Sequence, residues 1–107
     1  MTNSVYKLEI IPTAKKDIDD IIYYISNKLR NKTASIKLSK DFIEGMKKIS
    51  IFPYGTSEYK SVSKLKYTYR SIKIKNFSMF YTIDEKNSTI TIVRVLYEKM
   101  NITNILE

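Results

Sequence analysis

The stretch from Tyr69 to Asn101, YRSIKIKNFSMFYTIDEKNSTITIVRVLYEKMN, constrains the chain most. It reads as three strands in succession. Tyr69 to Lys75 alternates, with Arg70, Ile72 and Ile74 on one face and Tyr69, Ser71, Lys73 and Lys75 on the other. A tight turn begins at Asn76. Phe77 to Ile83 then sets Phe77, Met79, Tyr81 and Ile83 against Ser78, Phe80 and Thr82, and Asp84–Ser88 supplies a hairpin turn. The last strand, Thr89 to Tyr97, is nearly continuous in apolar residues at its centre (Ile90, Ile92, Val93, Val95, Leu96), the pattern of a strand buried on both faces. A meander of this kind must bury one face against something, and the residues before it supply the cover.

Val5 to Pro12 predicts a first strand, with Tyr6, Leu8 and Ile10 alternating against Lys7 and Glu9 and Pro12 stopping it. Thr13 is the expected cap of a helix running to about Leu29. Its apolar stripe is Ala14, Ile18, Ile21, Ile22, Ile25 and Leu29. Asp17, Asp19 and Asp20 fall early in that helix, where its dipole favours anions, and read as a solvated first turn. Asn31 or Thr33 caps a second helix reaching Ile51, with the stripe Ala34, Leu38, Phe42, Met46 and Ile49 and with Gly45 where a neighbour approaches closely. Phe52-Pro53 ends it. Tyr54 to Thr68 is a loop, and Ile102, Ile105 and Leu106 in the tail are expected to pack down. The expected fold is therefore α+β in the order β-α-α-β-β-β, one domain over residues 1–107. A helical hairpin lies on a mainly antiparallel sheet whose other face is partly open and carries the basic residues.

Composition narrows the chemistry. There is no Cys and no His, which removes thiol catalysis, disulfides, the commonest metal ligand and the usual general base. Two glycines make neither a P-loop nor a dinucleotide loop. The three early aspartates lack the further ligands and the glycine of a calcium loop, so neither a metal nor a cofactor is expected. No apolar run approaches the roughly 20 residues of a membrane span, and the first residues lack the pattern of a secretion signal. The expectation is a cytoplasmic protein with no membrane partner.

What remains is positive charge and tyrosine. The formal net charge is +8, and residues 58–76 carry a net +5 through Lys60, Lys64, Lys66, Arg70, Lys73 and Lys75 against Glu58. Such a field draws polyanions or an acidic protein. Of the nine tyrosines, Tyr54, Tyr59, Tyr67, Tyr69 and Tyr97 lie in or near the basic region, where they either fill a half-buried sheet or stack on bases. Lysines, arginines, a tyrosine and a carboxylate can together cleave RNA without metal, by deprotonating a 2′-hydroxyl, neutralising the phosphorane and protonating the leaving oxygen. The residues allow this and do not demand it.

The whole chain resembles the RelE/ParE family of bacterial toxins. The resemblance is carried by Ala14-Lys-Lys-Asp17-Ile18, by Ala34 to Pro53 with its closing Ile51-Phe52-Pro53, by Tyr69-Arg70, by Asn76-Phe77-Ser78-Met79-Phe80-Tyr81, and by Val93 to Ile102. It implies a growth-arresting toxin neutralised by a small acidic antitoxin, the two forming a hetero-oligomer. RelE-like members cleave messenger RNA in the ribosome and place an arginine where this chain has Ser78. The resemblance then offers Arg70, Glu58 and Tyr97 as the catalytic set. ParE-like members inhibit DNA gyrase, and Arg94-Val95-Leu96-Tyr97-Glu98-Lys99-Met100-Asn101 looks closer to their C-terminal block. On that reading there is no catalytic residue, and Arg70, Lys73, Lys75, Arg94, Tyr97 and Lys99 are the target- or phosphate-binding candidates. The expectation leans to the ParE branch. A ribosome-dependent ribonuclease is the alternative, and a non-toxic binding module the second.

Overall fold

The computed structural model describes residues 5–56, 58, 68–100, 105 and 106. Its elements are β1 (Lys7–Ile10), α1 (Pro12–Tyr23), a π-helical segment (Tyr24–Lys28), α2 (Lys32–Ile51), β2 (Arg70–Ile74), β3 (Phe77–Asp84) and β4 (Thr89–Tyr97). The order is β-α-α-β-β-β as expected. Lys60, Lys64, Lys66, Tyr59, Tyr67, Asn101 and Ile102, singled out above, lie outside the described residues.

The four strands form one sheet in the order β1-β4-β3-β2. β2–β3 and β3–β4 are antiparallel hairpins, whereas β1 joins β4 in parallel through Lys7↔Thr89 to Ile10↔Ile92. β4 is thus central, which accounts for its apolar run. A bulge sharpens the account. The register shifts where Phe80 pairs with Arg94 and Tyr81 with Ile92, leaving Val93 as the extra residue on β4. Ile90, Ile92 and Val95 therefore face the helices together, while Val93 and Leu96 join the opposite side.

The main core lies between helices and sheet. It holds Ala14, Leu38, Phe42, Ile49, Ile74, Met79, Tyr81, Ile90, Ile92 and Val95, flanked by Ile18, Ile21, Ile22, Ile25, Met46, Phe77 and Ile83. Phe42 meets Phe77 edge-on at 6.1 Å. Gly45 is required by this packing, because a Cβ there would stand 2.6 Å from Cδ1 of Ile74. A second cluster occupies the other face of the sheet, where Tyr69, Phe80 and Leu96 are covered by Val93, Ile105 and Leu106. The tail therefore packs down as expected at its described residues.

Four local expectations are corrected. Pro12 does not merely stop the strand. It occupies the first turn of α1 with Ile11 as the cap residue, so the helix starts earlier than a Thr13 cap implies and its first turn holds no acid. The helical path does not run on regularly to Leu29; it widens to a π-helical turn at Tyr24–Lys28 and ends at Arg30, whose φ is 51°. Leu29 consequently leaves the core and is 57% exposed. Lys75 is not a strand residue but sits in the β2–β3 turn with φ of 55°. By contrast, Asn31 caps α2 as expected, its Oδ1 accepting from the Ala34 amide at 3.0 Å.

Candidate functional site

The fold separates the sequence-predicted residues into distinct places. Arg70 begins β2 opposite Tyr81, whereas Tyr97 ends β4 opposite Phe77. Tyr81 and Phe77 are four residues apart on β3, so Arg70 and Tyr97 sit about 13 Å apart along the strand direction. Lys73 projects from the open face and pairs with Glu98 at 3.2 Å. Lys75 is exposed in the turn beyond β2, and Lys99 is exposed beyond β4. The basic residues therefore do not share the open face as the sequence suggested.

Arg70 and Glu58 are brought together. Glu58 bridges to Arg70 as a short extension of the sheet, and their side chains stand 3.9 Å apart. Arg70 is held on three sides: Nη1 donates to the Thr56 carbonyl, the guanidinium lies 4.9 Å over the Tyr54 ring, and Glu58 flanks it. Its side chain is only 17% exposed. The same region is fixed by tyrosines. The Tyr81 hydroxyl donates to the Pro53 carbonyl at 2.7 Å and lies 2.5 Å from Oγ1 of Thr56. Glu85, in the β3–β4 turn, accepts from Tyr6 at 2.5 Å and from Tyr54 at 2.9 Å. These bonds to a carboxylate push the Tyr6 phenol up to about 12 and raise Tyr54 as well. Burial raises Tyr81, partly offset by its Thr56 bond. Arg70 is thereby an anchor of the loop that follows α2. Sequence inspection placed Tyr6 on a strand face and Glu85 in a hairpin turn but did not join them, because they lie 79 positions apart.

Arg94 has a defined partner as well. Asp17 on α1 accepts from its Nε at 2.7 Å and from Nη2 at 2.9 Å, and the same carboxylate accepts from the Val95 amide at 3.0 Å. β1 stops at Ile10, so beyond Ile92 the edge of β4 has no strand beside it. Asp17 satisfies that edge in place of a strand. The reading of Asp17 as part of a solvated turn is corrected. Asp19 and Asp20 do pair with Lys15 and Lys16 on the exposed surface. The Asp17 bond raises the Arg94 guanidinium further above its ordinary range.

Three recesses adjoin one another around the β2–β3 turn. One, about 590 Å³, lies between the π-helical segment and the sheet and is lined by Ile21, Tyr24, Ile25, Leu29, Asn76, Phe77 and Tyr97. The next, about 240 Å³, shares Ile25, Asn76 and Phe77 and adds Ala34, Lys37, Leu38, Asp41 and Lys75. The third, about 730 Å³, shares Asp41 and Lys75 and runs between α2 and β2 past Lys48, Ile72 and Ile74 to Ile51 and Phe52. Tyr97 thus belongs to an apolar wall, its ring 5.8 Å from that of Phe77. Lysines edge this trough from α2 and from the turn. Residues 28–48 carry a net +5 of their own, a concentration that attention to residues 58–76 passed over. Among the described residues no cluster of acidic side chains could hold a metal ion, and no helix is long and apolar enough to cross a membrane.

The profile of the ParE toxin of type II toxin–antitoxin systems matches residues 8–102. The chain belongs to the ParE toxin family. Solved structures repeat the fold of this ParE-family chain at low identity. A chain of the chromosomal ParDE system from P. aeruginosa superposes with a TM-score of 0.68 at 18% identity, over 88% of this chain and 97% of that one. The RelBE2 toxin–antitoxin complex of Mycobacterium tuberculosis contains a chain with a TM-score of 0.60 at 14% identity, covering 90% and 94%. The archaeal RelE–RelB complex from Pyrococcus horikoshii OT3 gives 0.59 at 12%, covering 89% and 97%. No curated protein matches the ParE-family chain by sequence.

Proposed function

We propose that this ParE-family toxin arrests growth by inhibiting DNA gyrase through protein contact, in the cytoplasm, and that a small acidic antitoxin neutralises it in a hetero-oligomer. One observation carries the choice of target class: the residues that a ribonuclease would need do not converge. Glu58 and Arg70 meet at one end of the sheet, Tyr97 packs on Phe77 at the other, and Arg94 is engaged by Asp17. Ser78, the position at which RelE-like sequences resemble this one but carry arginine, pairs with Lys73 and Leu96 and offers no charge. Phosphoryl transfer relies on cations preorganised around one reacting phosphate. A docking surface has no such requirement and can be spread over Lys73, Lys75, Tyr97 and Lys99.

The Glu58–Arg70 pair supports ribosome-dependent cleavage as the second reading, with Glu58 as the base. Expression without antitoxin, following thymidine and methionine incorporation in parallel, separates the two. Early loss of thymidine incorporation, with gyrase supercoiling blocked by the purified toxin, is expected. Early loss of methionine incorporation with cuts inside codons would replace the gyrase reading with the nuclease.

The antitoxin reading rests on the trough. Its apolar walls around Phe77, Tyr97, Ile72 and Phe52 suit hydrophobic anchors of a partner segment, and its lysine rim suits that segment's acids.

A further inference from the structure

The core uses one apolar stripe of α2 and leaves a second one open. Leu38, Phe42, Gly45 and Ile49 are buried. Ile36 and Ile43 are 57% and 51% exposed, and none of the three recesses includes them. Lys40 and Lys47 fall on the same line, so that Ile36, Lys40, Ile43 and Lys47 follow one another at steps of four, three and four. At about 100° per residue these side chains lie within about 60° of each other and run for about 16 Å along the helix. Of the four, Lys47 alone also lines the trough. The cations on this line are not neutralised from within. On α1, Lys15 and Lys16 each pair with an aspartate one turn on. Lys40 has no ion-pair partner among the described residues. Lys47 meets Glu44 at 3.8 Å with both side chains more than two-thirds exposed, a pair that contributes little. Isoleucines seven apart with a residue between them at steps of four and three form a seam on which a second helix can lie. The lysines select that helix. A second copy of this chain would set like charges together across the seam, on top of a net charge of +8 in each molecule. A phosphate backbone gains nothing from Ile36 and Ile43. An acidic amphipathic helix answers both the apolar and the charged positions.

We propose that the line Ile36–Lys40–Ile43–Lys47 is a second docking surface for the acidic antitoxin, taken by an amphipathic helix that lays apolar residues on the two isoleucines and carboxylates on the two lysines. The inference rests on the antitoxin reading and goes beyond it. The partner then holds α2 from two flanks, by the trough on one and by this line on the other. Because the line is open in the free toxin, changing it leaves the fold nearly intact and weakens the complex.

The test uses the full-length toxin and the small acidic protein encoded in the reading frame beside it. Three variants are compared with wild type by thermal unfolding of the free toxin and by titration calorimetry of the pair: Ile36→Ser combined with Ile43→Ser, Lys40→Glu, and the control Lys86→Glu in the β3–β4 turn. Each should melt within about 5 °C of wild type, since serine matches isoleucine in helix propensity and the replaced isoleucines are half exposed. The double serine variant should bind about 10- to 50-fold more weakly. Lys40→Glu should bind about 5- to 20-fold more weakly, a loss that shrinks in high salt and that keeps the test open should the serine variant fold poorly. Lys86→Glu, the same change of charge elsewhere, should alter affinity less than about twofold. Hydrogen exchange of the bound partner should show a continuous protected run of about 11 residues that is lost with the double serine variant. Unchanged affinity in both α2 variants overturns the inference while the antitoxin reading stands. An equal loss in Lys86→Glu assigns the effect to net charge and overturns it too, as does alternating protection of the kind a strand gives. A free toxin that sediments as a dimer, and as a monomer once the isoleucines are replaced, would give the line to a second copy. A wild-type toxin that binds no such protein would bring down the antitoxin reading itself, and this inference with it.

Discussion

Replacing Asp17 by Ala tests the physical account of the sheet most directly. The carboxylate makes three hydrogen bonds, two of them to a guanidinium, at 2.7, 2.9 and 3.0 Å. Breaking one partner out of a fully buried ion pair costs about 3–5 kcal/mol. The Arg94 side chain is 27% exposed and that of Asp17 14%, so the stranded guanidinium recovers part of its hydration. A discount to about 2–3 kcal/mol follows for the pair. The Val95 amide, left without an acceptor at the edge of β4, adds about 1 kcal/mol. The total of roughly 3–4 kcal/mol is a large part of the ~5–15 kcal/mol that stabilises a domain of this size. It should lower the melting temperature by roughly 10–25 °C. Asp17→Asn keeps an acceptor for Val95 and should lose about half as much. In urea unfolding, a cycle of Asp17→Ala, Arg94→Met and the double variant should give a coupling of about 1–3 kcal/mol. The coupling should persist in high salt because the pair is mostly buried. A loss below about 0.5 kcal/mol for Asp17→Ala, or a strictly additive cycle, would refute the claim that this carboxylate closes the sheet edge.

Other outcomes are equally specific. In ultraviolet titration Tyr6 should ionise near 12 rather than near its ordinary 10, and Glu85→Gln should bring it down. Because the folded value lies above the unfolded one, the contribution of this bond is complete below pH 10 and is lost as pH rises toward 12, so alkaline unfolding should come earlier in the Glu85→Gln variant. Gly45→Ala should destabilise by about 1 kcal/mol, the overlap with Ile74 outweighing the helix propensity gained. In an Ile74→Val background, which lacks the overlapping Cδ1, Gly45→Ala should cost much less in the same unfolding assay. Arg70→Lys should cost about 1–2 kcal/mol by losing the planar contact with Tyr54 and the Thr56 bond. Faster limited proteolysis after α2 is the measurement that checks it, and an unchanged cleavage rate would remove Arg70 as the loop's anchor.

The elements that were legible in the sequence are those whose signals are local. The alternation of Phe77, Met79, Tyr81 and Ile83 states which face of β3 is buried. The pairing of Asn31 with a following apolar stripe states where α2 begins. The small residue at Gly45 marks a close approach. What was not legible depends on partners far along the chain. Nothing near Asp17 says that it will meet Arg94, and nothing near Glu85 says that two phenols will converge on it. The double apolar steps Ile92-Val93 and Val95-Leu96 suggested burial on both faces, which is right, but the bulge that moves Val95 onto the core face depends on the β3 register. The candidate site suffered most for the same reason. Charges close in sequence, such as Arg70 and Lys75, are carried to the start of β2 and to the turn beyond its end, while Tyr24 and Tyr97, remote in sequence, share one wall.

The parallel union of β1 with β4 has a consequence in time. β4 occupies the middle of the sheet, yet its residues are synthesised after those of every other strand. Until they leave the ribosome, β1 has no neighbour to pair with and α1 has no β4 edge for Asp17 to close. The β2–β3 hairpin can form early, but it has only part of a core to rest on. Synthesis adds about 5–20 residues per second. The nascent chain therefore passes through a stage in which β1, α1 and the β2–β3 hairpin exist without the strand that joins them into one surface.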